Sequence, residues 1–268
     1  MIYLTKENLT GNNRKSSKGN QLKWFYNGYW YKADNNGYEG LSEYVTSKLL
    51  TRSSLKSREF VDYEPEEINY ENRVFKGCRS RTFLKEEQRL ITLQRLYQAY
   101  YSKDLQDEMS EIYNPVEKCE RLVNIVENLT GLKNFGSYLL KMVLIDALFL
   151  NEDRHYHNIA FIEENGTYSY CPIFDNGAAL LSDTRLDYPL EGDELEMIKN
   201  VRSKTIMEDF DELLTALERL YSCDLYFTYS DADTIDVVSS AVQYNEEIRK
   251  RVARILIRQR QRYQGYFN

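Results

Sequence analysis

The chain has 268 residues, with 35 Lys and Arg against 42 Asp and Glu for a net charge of −7, and 42% hydrophobic and 29% charged residues. This length allows one large domain or two intimate lobes whose core needs no disulfide or metal staple, and the ordinary composition argues against disorder. The acidic balance argues against a protein built around duplex nucleic acid, which needs a positive surface to displace counterions. Cys78, Cys119, Cys171 and Cys223 are scattered with no C-x-x-C pair, and the start MIYLTKENLT has no signal-peptide pattern. The longest apolar run, 142–150, is too short to span a bilayer and contains Asp146. Together these features predict a soluble cytoplasmic protein with free thiols.

In chain order, a Gly-, Asn- and Ser-rich stretch at 10–20 precedes two aromatic runs, LKWFY (22–26) and YWYKA (29–33), which Asn27-Gly28 joins as a hairpin. The period of 40–53 predicts a helix capped by Ser42 or Gly40. Residues 60–83 read as strand, acidic loop, strand. From there the patterns turn helical. The run 86–101 is amphipathic, with Leu90, Leu93, Leu96, Tyr97 and Tyr100 on one side, and 116–131 shows the same period and stops at Gly131. The almost wholly apolar 134–151 is expected to be a buried central helix. A second hairpin turns at Asn165-Gly166, and three or four more helices follow from 190 to 264. The arginines at 251, 254, 258, 260 and 262 read as the solvated face of the last helix. The expectation is an α+β chain with a small β-rich N-lobe at 1–85 and a larger, mainly helical C-lobe at 86–268.

The stretch LNEDRHYHNIAFI (150–162), with PIFDNG (172–177), is where chemistry concentrates. It holds both histidines, His155 and His157, and is dense in ionisable and amide groups directly after the most apolar helix. Phosphoryl transfer needs a carboxylate near the attacking hydroxyl and hard oxygen ligands for Mg²⁺ beside the phosphates. Asp153 and Asn158 have the D-x-x-x-x-N spacing of a protein-kinase catalytic loop, and Asp175 begins an Asp-Asn-Gly where such kinases carry a metal-binding Asp-Phe-Gly. Upstream, Lys32 ends the second aromatic strand, with Lys23 as its rival for a phosphate-gripping lysine. Glu43 is a helical partner for it, with Glu39 as the alternative. The loop between Gly11 and Gly19 stands where a phosphate-covering loop belongs. Arg154 would either neutralise a phosphate or form a salt bridge, His155 would brace the loop, and the role of His157 stays open. The bland alternative for Asp153, Asn158 and Asp175 is a helix cap followed by an ordinary Asx turn.

The DRHYHN and IFDNG segments, with YWYKAD and GLSEY, resemble the HipA-like serine/threonine kinase family. DRHYHN is also similar to the D-R-H-x-x-N loop of phosphatidylinositol kinases. The resemblance implies a bilobal protein-kinase-like fold using ATP and Mg²⁺, with Asp153 as base, Asn158 and Asp175 on the metal, Lys32 on phosphate and Glu43 orienting it. It also implies a protein substrate bearing a Ser or Thr hydroxyl, and silencing by phosphorylation in the phosphate-covering loop, where Ser16 and Ser17 lie. Full-length HipA toxins carry an extra N-terminal subdomain that docks a DNA-binding antitoxin; this chain is too short for it, which leaves an antitoxin-type partner unsupported. Three alternatives stay open: a small-molecule or lipid kinase of the same fold, a catalytically inactive kinase-fold interaction module, and a transition-metal hydrolase using His155, His157 and Asp175 with Asp153 and Cys171.

Overall fold

The computed structural model describes residues 1–10 and 21–268. Ser16, Ser17 and the rest of the glycine-bounded loop lie outside the described residues. Asn27 and Gly28 both take positive φ, 49° and 77°, the geometry that lets a two-residue turn follow the twist of its strands. Across it β2 (Lys23–Tyr26) pairs antiparallel with β3 (Tyr29–Ala33), so that Lys23 stands opposite Lys32. With β1 (Ile2–Leu4), β4 (Tyr63–Tyr70) and β5 (Arg73–Arg81) they form a sheet of order β1-β4-β5-β3-β2 among the described residues. Strand alternation divides its two faces. Leu4, Trp24, Tyr31, Ala33, Ile68 and Tyr70 cluster on one, while Lys32 and its register partner Cys78 stand on the other.

The predicted acidic loop is corrected here. Glu64, Glu66 and Glu67 lie within β4, and the turn falls at Glu71-Asn72, whose φ values are 50° and 61°. Arg79 on β5 makes the acidic strand tolerable by pairing with Glu64 at 2.6 Å and Glu66 at 3.4 Å.

Helix α1 (Glu39–Leu50) forms where expected, but neither Ser42 nor Gly40 caps it. The Glu39 carboxylate instead accepts from the N–H groups of Asn35, Asn36 and Gly37, and the Gly40 N–H donates to Asp34 Oδ1 at 2.6 Å. Glycine at 40 and 77 sets how closely α1 meets the sheet. A Cβ on Gly40 would lie 2.5 Å from the Gly77 carbonyl carbon, and one on Gly77 only 2.0 Å from the Lys32 oxygen. The helix therefore rests directly on β5 beside β3, with Glu43 one turn in.

The predicted helix at 86–101 divides in two. Residues 89–92 form β6 (Arg89–Thr92), which pairs with β7 (Ala160–Glu164), itself joined to β8 (Thr167–Tyr170) through the Asn165-Gly166 turn. Only Leu93–Tyr101 is helical, as α2, with Thr92 as its N-cap; Tyr100 is exposed. A strand wins because the edge of β7 offers it a hydrogen-bonding partner remote in sequence. After α3 (Leu105–Ser110), helix α4 (Pro115–Thr130) ends at Gly131, φ 71°. Helix α5 (Phe135–Phe149) is buried along nearly its whole length. The tail supplies α6 (Glu194–Asn200), α7 (Phe210–Leu220), α8 (Asp231–Ser240) and α9 (Glu246–Arg262), and α5 packs against α4, α7 and α9. Arg251 corrects the solvated-face expectation: it is 1% exposed and donates to the carbonyls of Tyr188 and Pro189. No described helix is long and apolar enough to cross a membrane, and the four thiols are free.

Asp34 ties the end of β3 to α1 through Gly40, and to the helical body through Tyr244, whose hydroxyl donates to Oδ2 at 2.9 Å. Burial, reinforced by Glu39, pushes its carboxyl up to about 7. Its folded value is raised, so its contribution is complete below the unfolded pKa near 4 and is lost as pH rises through about 7. Asp34→Asn should therefore flatten that pH dependence, gaining on the wild type by about 2 kcal/mol at pH 8 relative to pH 5 in urea titrations. An unchanged difference at the two pH values would refute the linkage. Gly77→Ala should cost about 1–3 kcal/mol through overpacking at the Lys32 carbonyl, whereas Gly265→Ala, with no atom within 4 Å of its Cβ, should cost little by the same measurement.

Candidate active site

Three elements deliver charge to one point beneath the sheet. Lys32 from β3 is 8% exposed; its Nζ donates to Glu43 Oε1 on α1 at 2.5 Å and to Asp175 Oδ1 at 2.7 Å. The second oxygen of Glu43 accepts from the Asn176 N–H at 2.8 Å, so Glu43 holds the lysine and the Asp-Asn-Gly backbone together. Lys23 stands 3.9 Å from the other oxygen of Asp175. Lys32 rather than Lys23 thus takes the helical glutamate, and Glu43 takes the lysine while Glu39 is held by the 35–37 backbone.

The electrostatics follow from burial. Desolvation alone would raise Asp175, but Lys23, Lys32 and Arg154 outweigh it and hold the carboxyl well below the usual range. Burial opposes the charge on Lys32, yet the two carboxylates raise it well above its ordinary value. Glu43, fully buried and beside Asp175, is raised, mainly by desolvation. Asp175 also has φ 63°, a left-handed backbone that costs a non-glycine residue energy and clusters at functional sites.

The second half of the site is the loop at 151–158. Helix α5 ends in a left-handed Leu150, φ 58°, after which the chain turns tightly: the N–H of His155 donates to the Asp153 carbonyl, and that of Asn158 to the His155 carbonyl. Carbonyls of Tyr156 and Ile159 accept from the first N–H groups of α2, which fixes the loop on that helix. Asn158 Nδ2 donates to the Asp153 carbonyl at 2.8 Å, which leaves Oδ1 as the oxygen this amide can offer a cation. Asp153 faces His155 Nε2 at 3.8 Å and Lys204 Nζ at 3.4 Å.

Arg154 joins the halves, which resolves its two sequence readings in favour of a salt bridge. It is 1% exposed, as is its partner Asp146. Its Nη1 donates to both the Asn158 and Phe174 carbonyls, at 3.3 and 2.6 Å, and its Nη2 reaches Asn176 Oδ1 at 2.8 Å. Nε and Nη2 share the Asp146 carboxylate, which also accepts from Asn151 Nδ2. Every donor of the guanidinium is used, so one cation sets the backbone of the 151–158 loop against the Asp-Asn-Gly turn.

Beyond Asp175 the chain is stitched to the start of α1. The Tyr38 hydroxyl donates to the Leu180 carbonyl, the Ser42 hydroxyl to that of Ala179, and the Tyr38 N–H to that of Ser182. Before Asp175, Ile173 exchanges backbone hydrogen bonds with Glu59 and Val61 in the connection following α1.

The metal-hydrolase arrangement does not form. Among the described residues no three His, Cys, Asp or Glu side chains gather as a metal-holding group, and Cys171 is buried with its thiol pushed above the ordinary range by desolvation. The oxygen donors that could hold a hard divalent cation are Asn158 and Asp175. The motifs did not mark Asp146, although a lone acid in an apolar helix was a visible signal. Nor did they mark Lys204, for which local sequence offered none.

No family model and no curated protein matches the chain. The solved structures that match include the following two. A Helicobacter pylori proinflammatory kinase, CtkA, aligns with a TM-score of 0.57 at 16% identity over 97% of this chain and 94% of its own. HipA of a Shewanella oneidensis MR-1 toxin–antitoxin system, solved with HipB and operator DNA, aligns with a TM-score of 0.49 at 13% identity over 97% of this chain and 68% of its own. With the first of these likenesses spanning nearly all of both chains, and a β-sheet lobe set on a helical body, the chain has the bilobal protein-kinase-like fold.

Proposed function

We propose that the chain is an ATP- and Mg²⁺-dependent phosphotransferase, a serine/threonine protein kinase, with residues 1–85 as the lobe covering the nucleotide and 86–268 as the body that receives the protein substrate. The observation that carries this is the Lys32 ammonium held between Glu43 and Asp175, with Arg154 linking that turn to the loop of Asp153 and Asn158. The fold likeness to a kinase supports it.

In this reading Lys32 grips the nucleotide phosphates and Glu43 keeps its ammonium in place. Asn158 and Asp175 supply the hard oxygens for Mg²⁺, which needs few protein ligands and would neutralise charge on the phosphoryl oxygens. Asp153 accepts the proton of the attacking hydroxyl, the task that places a carboxylate on this loop. Ser16 and Ser17 would be the sites of self-phosphorylation, adding charge where nucleotide phosphates approach.

Asp153→Asn should lower γ-phosphoryl transfer by about 10²–10⁴-fold while leaving Mg-ATP affinity within about threefold, because the lost group acts on the acceptor. Asp175→Asn should weaken Mg-ATP binding and transfer together. A radiolabelled γ-phosphate assay with calorimetric nucleotide titration checks both, and transfer at the wild-type rate in either variant would refute its assigned role. Labelling of metabolites or lipids with no labelling of peptides would replace the protein acceptor with a small one.

A further inference from the structure

Beside Asp153 stands a cation that the catalytic loop itself does not supply. Lys204 Nζ lies 3.4 Å from Asp153 Oδ1, across 51 positions of sequence. It projects from the connection between α6 and α7, which is held down on both sides of it. Val201, Ser203, Thr205 and Ile206 are all buried. The Ser203 N–H donates to the Glu208 carbonyl at 2.7 Å, and the Thr205 N–H to the Ser203 hydroxyl at 3.2 Å. Arg202 is turned back onto this stretch, donating to the carbonyls of Lys199 and Val201. Lys204, between two buried hydroxyl residues, keeps 41% of its side chain exposed. The connection thus presents one ammonium to the Asp153 carboxylate. Stability does not explain the arrangement, since an exposed ion pair contributes about 0–1 kcal/mol.

Charge distribution gives a reason for it. A phosphoryl group in transfer spreads negative charge over its outer oxygens, and preorganised cations there lower the barrier. Lys32 and Lys23 stand at the Asp175 end of the site. Arg154, adjacent to Asp153 in sequence, is buried with every donor engaged inside the protein, so it has no N–H left for a phosphate. Among the described residues, Lys204 brings an ammonium to the Asp153 end.

We infer that Lys204 is a further catalytic residue, one that brings its ammonium to the γ-phosphoryl oxygens beside Asp153, an assignment that rests on the phosphotransferase reading above. In the step, Asp153 takes the proton of the acceptor hydroxyl while the acceptor oxygen bonds to the γ-phosphorus. The bond from that phosphorus to ADP breaks, and its electron pair leaves with ADP. Lys204 keeps its proton throughout and pairs with the oxygens of the group in flight.

Lys204→Met and Lys204→Arg test this against the wild type. In Lys204→Met, kcat should fall about 10²-fold and KM for ATP should rise about tenfold, and arginine should restore kcat to within about tenfold of wild type. A second readout needs no turnover. Titrated by calorimetry in the presence of Mg²⁺, Lys204→Met should bind the non-transferable triphosphate analogue AMP-PNP about tenfold more weakly than wild type, with ADP affinity unchanged. The unfolding midpoint should stay within about 2 °C, as suits an exposed side chain. Wild-type transfer and binding of both nucleotides that persist undiminished in Lys204→Met would overturn the assignment alone, as would equal weakening of ADP and the analogue. Failure of the wild type to bind either nucleotide would overturn the phosphotransferase reading and this assignment with it.

Discussion

A single ammonium group constrains the architecture more than any other. Lys32 sits in low-dielectric surroundings where an unpaired charge would be costly, and two carboxylates from distant parts of the chain make it tolerable. Satisfying it requires β3, α1 and the turn after β8 to meet at hydrogen-bonding distance. Helix α1 can approach that closely only because Gly40 and Gly77 leave backbone against backbone. Packing alone would accept small slides of helix over sheet; a buried charge triad with bonds near 2.5–2.7 Å does not. The cluster therefore specifies geometry at least as much as it contributes stability.

Arg154 plays the corresponding part on the helical side. Asp146 stands in the last turn of the most apolar helix, where burial raises its pKa and a bare carboxylate would be unfavourable. Arg154 offsets that burial and then distributes its remaining donors over three acceptors belonging to two segments. Left-handed leucines at 150, 180 and 181 surround the same region, and all three are buried. Such backbone is unfavourable for leucine, and its concentration beside Asp153 and Asp175 matches the pattern of strain held at functional sites by the surrounding structure.

Much of this was readable from residues alone, for local reasons. Asn-Gly dictates a two-residue turn wherever it joins aromatic runs, and the apolar stretch at 134–151 could only be a buried helix. The meeting of Lys32, Glu43 and Asp175 was legible because a strand lysine, a helical glutamate and an Asp-Asn-Gly turn follow one another in a recognisable order. What stayed hidden depends on contacts remote in sequence. Residues 89–92 carry a helical pattern and become a strand because the edge of β7 lies waiting, with Arg89 meeting Glu163 across the pair. The acidic run in β4 reads as a loop until Arg79 is found opposite it. Arg251 looks like one more surface arginine, yet it is buried against carbonyls more than sixty positions away. Lys204 reaches Asp153 through tertiary folding alone.

The seam between the start of α1 and the segment after Asp175 has a dynamic consequence. Backbone and hydroxyl bonds from Tyr38 and Ser42 to Ala179, Leu180 and Ser182 connect stretches more than 130 positions apart. Neither stretch can open without breaking bonds to the other, so amide protons in the two should exchange with deuterium as one cooperative unit. Regulation acting on either stretch would then be felt by both, and the lobes would share a hinge whose stiffness is set by that small set of bonds.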